Sequence, residues 1–449
     1  MTAPSPARVV AARVLERVAS EGAYADLALD GELDHRRISP RDVALATELV
    51  YGTLRWQRYL DWILAPHSRR RIDDLDPGPL ALLRMTAYQI VFLERVPAFA
   101  AVNDAVTLAS RARKPGVGGF VNAVLRSFAR RGAGEREPRP PADLVDALAI
   151  RCSFPTWLAA RWVVRYGATD AEKLMRALNE RPPFTLRANT LRVTREVLAE
   201  RLQAEETIAT RPTRYVAEGL IAEHGGSPGS WRAFADGAFA VQDEASMLVA
   251  QLLEARPGDT VGDVCAAPGT KTTYLAQRMD NRGRILAFDP QPARLNLVRE
   301  AAARLGVSIV ETLDGAVETL APKFPGTCDA VLVDAPCSSL GVLRRNPEVK
   351  WRRSAEDVEA NADRQQAILT AAGAMVKPGG QLVYATCSLE PEENDDVARR
   401  FLTAQPGFTL DPPSDFPLPV GPDGFLRCLP HHHGIDGFTA VRFRRGSDR

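Results

Sequence analysis

The chain is 449 residues long, 45% hydrophobic and 25% charged, and its 57 Lys and Arg nearly balance 56 Asp and Glu. That length implies two or three domains, with ample apolar material for their cores. The charge balance excludes a whole-molecule field that gathers polyanions. No run of about 18 apolar residues offers a membrane span, and Met1 to Pro6 lack the apolar core of a leader, which predicts a cytoplasmic protein.

Roughly the first 130 residues read as helix throughout. Val10, Ala11, Val14, Leu15 and Val18 form a stripe at helical spacing. Val43, Ala46, Val50, Leu54, Leu60 and Leu64 repeat it over residues 41–64, and Phe120, Val121, Val124, Leu125 and Phe128 form a third, closed by Gly132. Such stripes are core. Residues 132–141, rich in Gly, Pro and charge, read as a linker. Helices are expected at 155–166 and 171–178, the second with Thr169 and Glu172 at capping-box spacing. A strand at 184–189 and a helix at 195–203 make a small α+β segment that ends in breaker-rich chain at 225–230.

After Gly237 the pattern alternates. Strands are expected at 260–265, 284–289, 307–311, 330–334 and 381–386, with helices at 272–278, 293–305 and 355–375. Strands spaced by helices imply a parallel sheet with right-handed crossovers. Basic clusters at 69–71, 111–114, 344–345, 350–353 and 442–445 read as solvated faces, with phosphate contact reserved for any beside an active site.

The first strand-to-helix turn reads Asp263-Val-Cys265-Ala266-Ala267-Pro268-Gly269-Thr270-Lys271. Small residues before a helix start let a ligand approach the backbone and its free N–H groups. The spacing fits neither a dinucleotide-binding glycine motif nor a P-loop. The next strand ends in Asp289, where an acid can accept both hydroxyls of a ribose. Asp314 follows the third, placed for the exocyclic amine of an adenine, and Asp334 ends the fourth. Three acids at successive strand ends point to an adenosyl ligand.

Six cysteines (Cys152, Cys265, Cys328, Cys337, Cys387, Cys428) show neither paired nor zinc-like spacing. Cys337, in Asp334-Ala-Pro-Cys337-Ser, and Cys387, in Thr386-Cys387-Ser388, close adjacent strands and face one cleft. That makes both candidate nucleophiles. Cys265 is expected to pack against or line the cofactor, and the other three to be core. The run His431-His432-His433 reads as a solvated loop, since consecutive residues do not converge easily on one ion.

These motifs resemble those of the Fmu/Sun (RsmB-type) RNA cytosine-5 methyltransferases. The resemblance rests on residues 263–271, Asp334-Ala-Pro-Cys337-Ser, Arg345-Asn-Pro-Glu-Val-Lys-Trp351, Thr386-Cys387-Ser388-Leu-Glu-Pro-Glu-Glu-Asn394 and Asp436-Gly437-Phe438. Thr270 departs from the family's usual second glycine, which questions the turn geometry. Tyr51-Gly52-Thr-Leu-Arg55, Val102-Asn-Asp-Ala-Val106 and Phe120-Val-Asn-Ala-Val-Leu-Arg126 resemble NusB-like RNA-binding helices. Ser153-Phe-Pro-Thr-Trp157 and Arg187-Ala-Asn189-Thr190 resemble the family's connecting region.

The resemblance implies an all-α NusB-like domain (1–137), a small α+β, RRM-like connecting subdomain (138–235) and an α/β Rossmann-like class I methyltransferase domain (236–449). It implies S-adenosyl-L-methionine held by Cys265, Ala266, Ala267, Pro268, Gly269, Thr270, Lys271, Asp289, Arg294, Asp314 and Asp334. The substrate it implies is RNA, 16S ribosomal RNA, free or in an early small-subunit particle, bound by a monomer without metal or membrane. Position does not choose between the cysteines. The family assigns attack on the base to Cys387 and product release to Cys337, with Asp334 at the base edge. Lys271 is left between supporting that pocket, lowering a cysteine pKa, and capping or phosphate contact. An amino-group methyltransferase would carry Asn/Asp-Pro-Pro-aromatic after strand four, a non-enzymatic RNA-binding factor would have lost a motif residue, and a DNA enzyme would lack the Thr-Cys motif.

Overall fold

The computed structural model describes residues 3–36, 38–111, 115–132, 135–223 and 228–447. By contact the chain forms two units, Met1–Glu180 with Leu343–Arg352, and Arg181–Val342 with Arg353–Arg449. Among the described residues no helix is long and apolar enough to cross a membrane.

The first unit is helical: α1 (Pro6–Ser20), α2 (Ala25–Asp34), α3 (Pro40–Arg55), α4 (Gln57–Leu64), α5 (Pro77–Phe92), α6 (Ala98–Ser110), α7 (Val117–Ala129), α8 (Leu144–Arg151) and α9 (Thr156–Leu178). The three predicted stripes converge on one core. The stripe over 41–64 is two helices, because the chain leaves helical geometry at Trp56 (ψ 15°) and restarts. Ser39 caps α3, accepting from Asp42 N, with Pro40 at its first position. Gly167, at φ 77°, splits α9 into the two expected helices. The predicted linker over 132–141, the basic cluster at 111–114 and the breaker-rich stretch at 225–230 lie partly outside the described residues.

Leu343–Arg352 is part of this helical unit. Leu343, Arg344, Val349 and Lys350 are buried, the Lys350 ammonium donates to Arg55 O (2.8 Å) and Asn179 Oδ1 (2.9 Å), and Trp351 Nε1 donates to Leu54 O (2.8 Å). The reading of the clusters at 344–345 and 350–353 as solvated faces is therefore corrected. Arg344 and Lys350 are buried, and Lys350, Trp351, Arg352 and Arg353 donate to backbone carbonyls.

The second unit begins with β1 (Phe184–Ala188), α10 (Arg195–Glu206), β2 (Thr210–Pro212), β3 (Gly219–Ala222), α11 (Arg232–Ala235) and β4 (Phe239–Val241). Its four strands form one antiparallel sheet, order β2-β3-β1-β4, over its own core. The chain continues as α12 (Glu244–Leu252), β5 (Thr260–Asp263), α13 (Thr270–Arg278), β6 (Arg284–Asp289), α14 (Pro292–Leu305), β7 (Val310–Asp314), α15 (Val317–Leu320), β8 (Cys328–Asp334), α16 (Ala355–Met375), β9 (Val376–Thr386), α17 (Asp395–Ala404), β10 (Phe408–Leu410), β11 (Phe425–Cys428), α18 (Pro430–His433) and β12 (Phe438–Arg445). The large sheet runs β10-β12-β9-β8-β5-β6-β7, with β11 on β12. From β9 to β7 it is parallel, and β12 pairs antiparallel to β9. Successive residues of β8 enter different cores, Ala330 and Leu332 one, Val331 and Val333 the other, so both faces are covered.

The third strand starts three residues later than predicted. Gly306 closes α14 in the left-handed region, and Val307 still bonds back to Ala302 O, so the ladder opens at Val310. That shift makes Asp314 the last residue of β7, directly opposite Asp289. The sheet order reverses at β5, flanked by β8 and β6. A parallel sheet opens its ligand crevice at such a point, outside the carboxyl ends of the strands.

Candidate active site

The turn after β5 places its small residues against β6, with Ala266 N donating to Phe288 O (2.9 Å). Gly269 precedes α13 at φ 101°, where a Cβ would lie 3.0 Å from Val298 Cα. Gly269 supplies the left-handed residue itself, and Thr270 opens the helix, so the departure from a second glycine leaves the turn intact.

Buried acids surround this turn. Asp263 is 1% exposed; its Oδ2 accepts from Thr272 Oγ1 (2.7 Å), while Oδ1 is buried with no partner among the described residues. Burial raises its pKa to about 6. Asp289 is also buried, accepting from Gln291 N (2.9 Å) and facing Arg294 at 3.2 Å. Arg294 also donates to Ala267 O (2.9 Å), bracing the turn against β6. Asp314 is exposed beside it.

Across the crevice, Lys271 Nζ lies 2.6 Å from Asp334 Oδ2 and 5.0 Å from the Phe438 ring centroid. Lys271 is therefore a counterion to the carboxylate that ends β8, and neither caps the helix nor lies free for phosphate.

The sulfurs of Cys337 and Cys387 are 3.2 Å apart. Buried Glu393 locks their loops together, and buried Asn394 braces the Cys387 loop. Glu393 accepts from Ser338 N (2.7 Å), from the Ser338 hydroxyl and from Gln365 Nε2 (3.1 Å); Asn394 Nδ2 donates to Ser388 O (3.1 Å). Gly341 N donates to Cys387 O (2.8 Å), and a Cβ on Gly341 would sit 2.3 Å from Gly437 O. Only glycine allows this approach, which brings the start of β12 to the Cys387 loop. A hydrogen bond from Cys337 lowers the Cys387 pKa from its ordinary value, against the effect of burial and with help from Ser339 and Lys271. Cys337 is pushed well up by the same hydrogen bond, by burial and by the charges of Cys387 and Glu393. One sulfur thus holds the proton and the other is disposed to be thiolate.

The remaining cysteines lack such a setting. Burial raises Cys152 to about 11 and Cys328 to about 12, and pushes Cys265 and Cys428 up as well. The histidine run is a helical turn rather than a loop, with His433 Nδ1 accepting from Leu429 N (2.9 Å).

The helical region, the small sheet and the mixed α/β sheet agree with the comparisons. The description "16S rRNA methyltransferase RsmB/F" matches residues 250–444, the NusB family residues 5–130, and the ferredoxin-like domain of RsmF/B-like methyltransferases residues 154–227. A probable ribosomal RNA small subunit methyltransferase B of Bacillus subtilis is 36% identical, covering 98% of each chain. The chain belongs to the RsmB/F methyltransferase family. The crystal structure of PH0851 superposes with a TM-score of 0.84 at 28% identity, covering 98% of this chain and 99% of that one. NSun6 from Pyrococcus horikoshii, solved with SFG, gives 0.59 at 26% identity over 66% of this chain and 99% of its own.

The chain is thus a methyltransferase, with the NusB-like, small-sheet and α/β regions that its sequence suggested. Sequence reasoning did not single out Asp263 or Glu393. Asp263 and Glu393 sat inside quoted motifs, but nothing in their spacing announces an orphaned acceptor or a bridge between two loops.

Proposed function

We propose that this RsmB/F-family enzyme methylates carbon 5 of a cytosine in RNA, with small-subunit ribosomal RNA as substrate, through a bond between Cys387 and carbon 6. The observation that carries the reading is the pair of sulfurs 3.2 Å apart at the ends of β8 and β9. The relatives' names support ribosomal RNA.

S-adenosylmethionine, when bound, supplies an electrophilic methyl group. The orphaned Oδ1 of Asp263 fits its ammonium, the opposed carboxylates of Asp289 and Asp314 fit ribose hydroxyls and adenine amine, and residues 265–271 offer the backbone. Carbon 5 of cytosine is a poor nucleophile. Addition of the Cys387 thiolate to carbon 6 pushes electrons onto it, and the base must leave any stack to reach the thiolate. Asp334, held by Lys271, hydrogen-bonds the base edge and orients the ring for attack. Once carbon 5 carries the methyl, its proton passes to a base with the assistance of Cys337, and the carbon–sulfur bond breaks with its electron pair leaving on Cys387, which restores the ring. Cys337 assists this release, its thiol hydrogen-bonding the departing Cys387 thiolate.

The two roles separate in mutants. Cys387→Ala should be inactive and form no covalent RNA complex. Cys337→Ala should methylate and stall, leaving a protein–RNA band on a denaturing gel. A stalled band from Cys387→Ala would reverse the assignment.

A further inference from the structure

The small sheet holds a buried cation that this mechanism does not use. Arg187, on β1, is 1% exposed. Its guanidinium leaves the sheet for the first turn of α13, donating to Thr270 O (2.8 Å), to Thr273 Oγ1 (3.1 Å) and to Gln242 Oε1, with the Tyr274 ring centroid 4.8 Å away. None of these partners is an acid. Thr273 Oγ1 in turn donates to Gly269 O (2.8 Å), so the contact reaches the residue that closes the turn.

A buried charge with no carboxylate among its hydrogen-bond partners opposes folding, and an apolar side chain would fill the same space with less penalty. What the guanidinium adds is a rigid fork on one helical turn and a positive charge at a helix N-terminus, where anions are already favoured. We propose that Arg187 is a positioning residue for the methyl donor: from the small sheet it fixes the first turn of α13, and with it Gly269 and Lys271, and favours the donor's carboxylate. The small sheet is thereby part of the cofactor site and not only a connector. This rests on the reading of residues 265–271 as the donor cradle.

The test uses the full-length protein and S-adenosylhomocysteine as calorimetric probe, with steady-state kinetics alongside. Arg187→Met should weaken probe binding and raise KM for S-adenosylmethionine about tenfold or more, the loss expected for a charge-assisted contact, while KM for RNA stays put. Arg187→Lys, which keeps the charge and loses the fork, should recover part of the affinity. Thr273→Val should shift the same constants in the same direction by a smaller factor, and it keeps the test decisive if Arg187→Met does not fold. A purely structural role would lower the melting temperature and the active fraction and leave both constants unchanged, which would overturn the proposal. If the wild-type protein itself fails to bind the probe, the cradle reading fails instead.

Discussion

Two buried lysines, Lys271 and Lys350, 7% and 1% exposed, do opposite work in this molecule. Lys271 faces a carboxylate at 2.6 Å in a crevice where three strand ends meet. Lys350 donates to a carbonyl and an amide oxygen, lies 4.0 Å from the Phe154 ring centroid, and is driven well below its ordinary pKa by burial. A lysine kept beside an acid is a charge available to a reaction. A lysine among neutral acceptors is a tie-bar in a core. The residue type is shared, and the partner decides.

Methionine at each site should break the molecule differently. Lys271→Met removes the counterion of Asp334, a half-buried group that water can still reach, so activity should fall by roughly 100-fold or more while the melting temperature stays close to wild type. Lys350→Met leaves Arg55 O and Asn179 Oδ1 without that donor, and stability should drop by about 1–3 kcal/mol while folded enzyme keeps its kcat. Kinetics on both variants with urea melts would read this. Equal losses of kcat would dissolve the comparison.

The cysteine pair carries the same lesson on a smaller scale. Cys387 is lowered chiefly by the Cys337 hydrogen bond, with Ser339 and Lys271 lowering it further and burial and Asp334 opposing. The single-turnover rate of RNA adduct formation should therefore rise with pH through an inflection below that of a free thiol, about 8.5. Cys337→Ala removes the largest lowering cause and should move the inflection upward. An unmoved inflection would mean that the neighbouring sulfur does not set the thiolate.

The crevice was legible because its residues lie at strand ends, where period and turn chemistry announce themselves. Asp289, Asp334, Cys337 and Cys387 follow from counting along alternating strands and helices. The sequence pattern sets Asp314 after the third strand rather than at its end, because a glycine-capped helix return, Val307 to Ile309, is as apolar and β-branched as a strand. The docking of Leu343–Arg352 was not legible. Its Arg, Lys and Trp have the composition of a surface patch, and only long-range acceptors such as Arg55 O turn them inward. Glu393 and Arg187 were hidden for the same reason, since each binds residues distant in sequence.

The smallest expected effect tests whether Lys350 differs from Lys271 in solution. Its folded pKa is depressed, so between that value and about 10.4 the unfolded chain binds more protons than the folded one. Stability must then rise with pH across the window, since the slope follows the protons bound by the unfolded state minus those bound by the folded state. Lys350→Met lacks this contribution. The stability difference between wild type and Lys350→Met should widen as pH is raised from about 7 towards 9.5, measured as urea midpoints. Tyr51, Tyr59 and Tyr88, pushed up mainly by burial, bias stability the other way above about 10, but both proteins carry them and the difference cancels their effect. If the Lys350 difference stayed flat across that range, its ammonium would be charged in the core as it is in water, and burial would not set its protonation.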